Sequence, residues 1–239
     1  MSVTPISSEL RPGPIARLRA APRWRMFMAS PMAVAAVLWL LFVLVVAIAG
    51  APFVEAAANR QSLALRFLPP FANDKGFAFL LGADSLGRPI LLQLVLGAQT
   101  SVMIAAFAVA ISAMLGTVLG LISGYFGGWI DNILMRIADI MHTIPSLLIG
   151  LVILFVLQPS IFNLIMVLGL TRIPVYLRTA RAQTLEVRER MFVEVARATG
   201  ASNWRIMTRE IAPMVIPTMR TLAMLEVAAV ILGSASLTF

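Results

Sequence analysis

The sequence has no cysteine and a single histidine, His142. The first absence excludes a disulfide framework, a thiolate metal site and a cysteine nucleophile. The second leaves no set of imidazoles from which to build a typical metal centre. There is no Gly-x-x-x-x-Gly-Lys phosphate loop, no His-Glu-x-x-His pair and no Gly-x-Ser-x-Gly elbow. No catalytic residue, metal site or chain-bound cofactor is therefore assigned. Charge is scarce too, at 13% of the 239 residues, against about a quarter in a soluble domain. What replaces it is apolar bulk, at 60% hydrophobic residues. Several runs approach the roughly 20 apolar residues that cross a bilayer. The composition indicates an all-α integral membrane protein.

The net charge of +8 would suit nucleic acid, but the arginines stand at the ends of apolar runs, as positive-inside topology requires. Residues 1–30 are basic and proline-containing, with Arg11, Arg17, Arg19, Arg23 and Arg25, and read as a cytoplasmic tail. A secretory signal is the rival reading; the apolar run 31–50 is too long for a signal core and lacks a cleavage pattern. It is read as the first membrane helix. Residues 51–97 carry both signs of charge and the turn-like Leu81-Gly-Ala-Asp84-Ser-Leu-Gly87-Arg88-Pro89, and form an external segment. Residues 98–239 are the transmembrane domain. Its expected spans are 98–124, about 140–157, 161 to about 177 and 213 to about 237. The amphipathic stretch 131–139 is interfacial and Gln158-Pro159-Ser160 an outer turn. Five spans and an outward C-terminus result.

A charged segment interrupts this pattern between the last two spans. From Glu186 to Thr199, Val187, Met191, Val195 and Ala198 share one helical face, and Arg190, Glu194 and Arg197 another. Gly200 can close that helix in the left-handed region, and Ser202 can cap a second short helix holding Trp204, Ile206 and Met207. Pro213 marks the return to the membrane. An amphipathic helix lying on the headgroups fits these residues equally well.

The pattern Glu-Ala-Ala, three residues, Gly, and a Leu-Pro ending thirteen residues later resembles the EAA loop of permease subunits of bacterial ABC importers. Glu194, Ala196, Gly200 and Pro213 match it; Val195 replaces the second Ala and Ala212 the Leu, and Glu210 stands where an apolar residue is common. A literal Glu55-Ala56-Ala57 lacks the following Gly, having Gln61 there, and lies in the external segment. The residues from Leu81 to Arg88, Gly97-Ala98-Gln-Thr-Ser101, Gly124-Tyr125-Phe-Gly127-Gly128, Asp131, Met135-Arg136, Asp139, Pro145 and the closing Ala235 to Phe239 are similar to the C-type subunit of the dipeptide, oligopeptide and nickel importer group. Pro89, Gln99 and Ser234 depart from that pattern. The resemblance covers roughly residue 80 onward and implies a sixth span past Phe239, so an incomplete membrane domain is expected.

What the resemblance implies is a coupling helix that docks on a separate ATPase. Met191 and Val195 would fill its groove, Glu194 and Arg197 would line the rim, Ala196 belongs to the motif, Gly200 sets the bend and Pro213 ends the loop. It also implies a second, homologous permease subunit in a heterodimer, two ABC ATPases holding ATP and magnesium, and an external binding protein, in the bacterial inner membrane. The cargo would be peptides or similar small solutes.

Other features are read from the residues alone. Ala108, Ser112, Gly116, Gly120 and Gly124 recur every four residues, a stripe for close helix packing, with pore lining as the alternative. Pro145 and Pro174 can bend their spans, and Pro145 with Glu226 is the candidate translocation path. Arg136 and Asp139 can pair across one turn. His142 is read as a satisfied polar group, and Glu226, deeper in the last span, as the stronger candidate for a cargo or proton contact. Two further classes stay open at this point: an ion-coupled secondary transporter or channel subunit, and a membrane scaffold docking a cytoplasmic partner. No internal inverted repeat supports the former.

Overall fold

A computed structural model describes residues 28–71, 76–156 and 160–238. The arginines of the N-terminal tail, part of the Gln158-Pro159-Ser160 turn and Phe239 lie outside the described residues. The chain divides into two compact units, 1–95 and 96–239.

In the first unit, helix α1 (Pro31–Val45) starts at an N-cap where the Ser30 hydroxyl accepts from the Ala33 amide, with proline at the first helical position. A π-helical turn at Val46–Gly50 joins it to α2 (Ala51–Ala58). Pro52 has no N–H to offer the carbonyl four residues back, and the wider turn accommodates its ring. The first apolar helix therefore runs through to Ala58, past the Gly50 boundary expected from hydropathy.

The turn Ala83 to Pro89 is organised by one carboxylate. Asp84 accepts from the backbone amides of Leu86 and Arg88 at 2.9 and 2.8 Å, and from the Arg88 side chain at 2.8 Å. Gly87, at φ +74°, is required there: a Cβ would stand 1.8 Å from the Ser62 carbonyl oxygen. The Arg88 amide, followed by the Arg88 guanidinium, holds the Asp84 carboxyl down to about 2. A folded pKa below the unfolded carboxylate value of about 3.9 stabilises the turn above that value, and the contribution is lost as pH falls through about 2. An isotope-edited infrared titration of Asp84 should give a midpoint near 2; one near 4 would show that these hydrogen bonds do not hold in solution.

Helix α3 (Ile90–Phe126) is one unbroken element. It begins ahead of the expected Ala98 because the apolar Ile90 to Leu96 stretch carries no helix breaker. After Gly127, at φ +64°, the second unit continues with α4 (Gly128–Thr143), α5 (Ser146–Val156) and α6 (Ile161–Arg188). There follow α7 (Met191–Ala198), a single turn α8 (Asn203–Arg205), a π-helical turn Ile206–Ile211 and α9 (Ala212–Thr238). Ahead of Pro213 the π turn repeats the device seen before Pro52. The fold is all-α and membrane-embedded as expected.

Four helical stretches among the described residues are long and apolar enough to cross a membrane: 31–58, 90–126, 161–188 and 203–235. The span expected at 140–157 is not one helix. Proline forces its predecessor out of the α region, and Ile144 is extended (φ −99°, ψ 128°). The break divides the stretch between α4 and α5. At about 1.5 Å per residue these reach roughly 24 and 16 Å, each short of a bilayer core of about 30 Å but sufficient in sequence.

The small-residue stripe explains why that return is needed. A Cβ on Gly116 would lie 2.5 Å from the Tyr176 Cβ, one on Gly120 2.6 Å from the Ala180 Cβ, and one on Gly124 2.7 Å from the Thr184 Cβ. Both partners ascend together, so α3 and α6 pack in parallel along a backbone-close seam. Parallel neighbours start from the same membrane face, and 127–160 must carry the chain back to it. The stripe thus serves packing inside this chain. Around it the core gathers Ile104, Ala108, Leu168, Tyr176, Ile211 and Val215.

Two ion pairs tie α4 to α6. Asp131 accepts from both the Nε and Nη2 of Arg181, at 2.5 and 2.6 Å, and from the Ser123 hydroxyl at 2.6 Å. Asp139 pairs with Arg178 at 2.8 Å. The expected Arg136–Asp139 pair is corrected accordingly: Asp139 turns to the neighbouring helix, where a guanidinium from another element meets it at hydrogen-bond distance.

Candidate functional site

The charged segment is folded, and more finely divided than a single helix over 186–199. Helix α6 does not stop near Leu177 but runs to Arg188, because residues 178–188 contain no glycine or proline to end it. The chain turns at Glu189–Arg190, and α7 follows. The face buried on α7 is that of Val193, fully covered, against a cluster with Val187, Ile206, Met207 and Ile211. Met191 and Val195, which share a helical face with Val187 in the sequence, point outward at 78% and 55% exposure. Sequence periodicity missed Val193 because the break after Arg188 resets the helical phase.

Gly200 ends α7 as anticipated. Its φ is +81°; its amide donates to the Arg197 carbonyl at 3.1 Å and the Ala201 amide to the Ala196 carbonyl at 3.0 Å. That is the Schellman closure. Ser202 then caps α8, its hydroxyl accepting from the Arg205 amide. The segment is fastened to the bundle at two further points. Tyr125 donates to Asn203 Oδ1 at 2.8 Å. The Arg188 guanidinium donates to the carbonyls of Gly124 and Tyr125 at 3.1 and 3.2 Å, satisfying two otherwise open carbonyls at the end of α3. Glu194 and Arg197 stay exposed and Ala196 is half-buried. Trp204, 70% exposed, joins Met191 and Val195 among the outward apolar side chains. A polar cavity of about 280 Å³ lies in the crook, lined by Ala196, Thr199, Gly200, Ala201, Arg205 and Glu210. Pro213 is the second residue of α9, which starts at Ala212 directly after the π turn.

A second constellation lies inside the bundle. Glu226 on α9 faces Arg172 on α6 at 3.4 Å. Arg172 also borders a cavity of about 110 Å³ with His142, Pro145 and Thr171, at the break between α4 and α5. The structure therefore connects Pro145 and Glu226 through Arg172. Because α6 extends to Arg188, Arg172 stands about 16 Å along the helix from its start at Ile161, well inside the apolar stretch. A glutamate in a membrane span needs a counter-charge, which was the available signal for it.

Comparison with known proteins shows the family. Residues 116–239 match the family described as the binding-protein-dependent transport system inner membrane component. The probable D,D-dipeptide transport system permease protein of Escherichia coli strain K12 is 34% identical over the whole chain, covering 78% of that relative. The dipeptide transport system permease protein of Haemophilus influenzae is 37% identical over 74% of the chain and 62% of its own length. The glutathione transport system permease protein of Pectobacterium atrosepticum is 29% identical over 90% of the chain and 70% of its own. Four membrane-length helices, a folded loop between the last two and these matches lead to one conclusion: the chain belongs to the binding-protein-dependent transport system inner membrane component family, as a multi-pass permease subunit and not an enzyme.

Proposed function

We propose that this permease serves an ATP-driven importer of small peptides, with the segment 189–205 and the N-terminal tail in the cytoplasm. Two ATPase subunits, which hold ATP and magnesium, close on each other and push on that segment. A second, homologous permease completes the path in a heterodimer, and an external binding protein delivers cargo. A peptide cargo is in keeping with relatives named for dipeptide, D,D-dipeptide and glutathione transport.

The observation that carries this reading is the outward trio Met191, Val195 and Trp204 on a segment pinned from behind by Val193. Apolar side chains exposed on a rigid, short element make anchors for a partner's groove. Glu194 and Arg197 flank them as polar rim, and Ala196 lets the backbone come close. Gly200 sets the angle at which the element leaves the bundle, and Pro213 marks where force passes into α9. Arg188, Tyr125 and Asn203 join the lever to α3 and α6, so a push on α7 moves two spans together, as a shift between discrete packings. Pro145 and Glu226 lie on the path.

In proteoliposomes holding the complete transporter, Met191→Asp and Gly200→Val should each lower ATP-driven peptide uptake at least tenfold while the chain still inserts. No side chain lies within 4 Å of a Cβ at Gly200, so its variant reports backbone angle and not a clash; a left-handed L-residue costs about 1–2 kcal/mol. Uptake that persists without any ATPase would sink the reading and restore an ion-coupled carrier.

A further inference from the structure

Two buried side-chain oxygens among the described residues have no hydrogen-bond partner: the Tyr176 hydroxyl and Glu226 Oε2. They belong to one cluster. Tyr176 follows Arg172 by one helical turn, and Glu226 and Arg172 are the charges acting on its hydroxyl. Tyr176 is fully covered, and the Glu226 side chain is 12% exposed.

The Arg172–Glu226 contact differs from the structural ion pairs of the same chain. Charge-assisted hydrogen bonds run at about 2.7–2.9 Å, and Asp131–Arg181 makes two bonds at least that close. Arg172–Glu226 stands at 3.4 Å, makes no hydrogen bond and leaves the Oε2 acceptor unused. A pair held for stability inside a membrane would be drawn into closer geometry, since its desolvation is repaid only by good geometry and satisfied hydrogen bonds. The loose pair has a polar cavity beside it, bordered by Arg172, His142 and Thr171, into which the guanidinium can swing.

We propose that Arg172 and Glu226 form a subsite for the two charged ends of a peptide. The guanidinium takes the terminal carboxylate, the carboxylate takes the terminal ammonium, and the Tyr176 hydroxyl adds a hydrogen bond. Facing each other at 3.4 Å, the two side chains neutralise each other. A dipeptide, spanning about 7 Å, parts them and replaces each charge's partner, so no uncompensated charge is left in the membrane at any stage. The subsite rests on the peptide-importer reading and adds to it the chemistry by which cargo is held within the bundle.

The test uses the complete transporter in proteoliposomes with three cargoes: a free dipeptide, its C-terminal amide and its N-acetyl form. The double variant Arg172→Gln with Glu226→Gln removes both charges together and avoids the misfolding that an orphaned charge brings. It should still insert and co-purify with the ATPase subunits, and lose at least tenfold in uptake of the free dipeptide. Arg172→Gln alone should narrow the preference for free over amidated peptide, and Glu226→Gln that for free over acetylated peptide. Unchanged uptake in the double variant, or equal loss for all three cargoes, overturns the subsite while leaving peptide import standing. A wild-type transporter that moves no peptide instead overturns the importer reading, and the subsite with it.

Discussion

Gly120→Leu should leave a chain that inserts but does not hold its bundle together. A Cβ at Gly120 stands 2.6 Å from both the Ala180 Cβ and the Leu177 carbonyl oxygen, and one of these contacts is backbone, which cannot step aside. Helices α3 and α6 would have to separate. Gly116 and Gly124 are equally close on either side, so the separation loosens the whole seam. Overpacking a tight core costs about 1–3 kcal/mol, and a residue larger than alanine at a backbone contact belongs at the top of that range. The loss should appear as a marked fall in thermal midpoint of the purified protein in detergent, with membrane levels little changed. Gly97→Ala on the same helix is the control, since nothing lies within 4 Å of its Cβ. Equal stability of the two variants would mean that the seam is not the contact holding α3.

The second large effect is expected at Asp131→Ala. Asp131 is 15% exposed and Arg181 31%, so removal leaves a guanidinium and the Ser123 hydroxyl without their acceptor in a poorly solvated place. Breaking a fully buried pair costs about 3–5 kcal/mol; partial exposure reduces this to roughly 2 kcal/mol. Adding Arg181→Met should restore part of the loss, because the orphaned charge goes with it. Asp139→Ala provides the contrast. That pair is 61% and 43% exposed, and its loss should cost under about 1 kcal/mol. A double variant no more stable than Asp131→Ala would show that the charge is not what makes the single change costly.

These two variants mark where the sequence was and was not sufficient. Membrane class and helical content follow from apolar runs and the shortage of charge, because a backbone in hydrocarbon must satisfy its own hydrogen bonds. Gly200 and Ser202 were legible as a helix stop and a cap because each acts over a few residues. So was the four-residue stripe, as a place for close approach. Its partner was not: periodicity says that a face is small, not which helix will meet it. Val193 escaped the helical reading because a break at Glu189–Arg190 shifts the phase. The third span failed as a single helix for the opposite reason. Hydropathy sums over composition, whereas Pro145 acts on the dihedral of the one residue before it.

For ionisable groups the division is sharpest. Sequence alone determined that Glu226 lies in an apolar span and that Asp139 has arginines within reach. Only the tertiary structure decided that Asp139 joins Arg178 and that Glu226 faces Arg172, beside the break at Pro145. Local rules see three or four residues along one helix. An ion pair between helices depends on which helices are neighbours and at what register, and that is set by the glycine seam and by the return of the chain through α4 and α5.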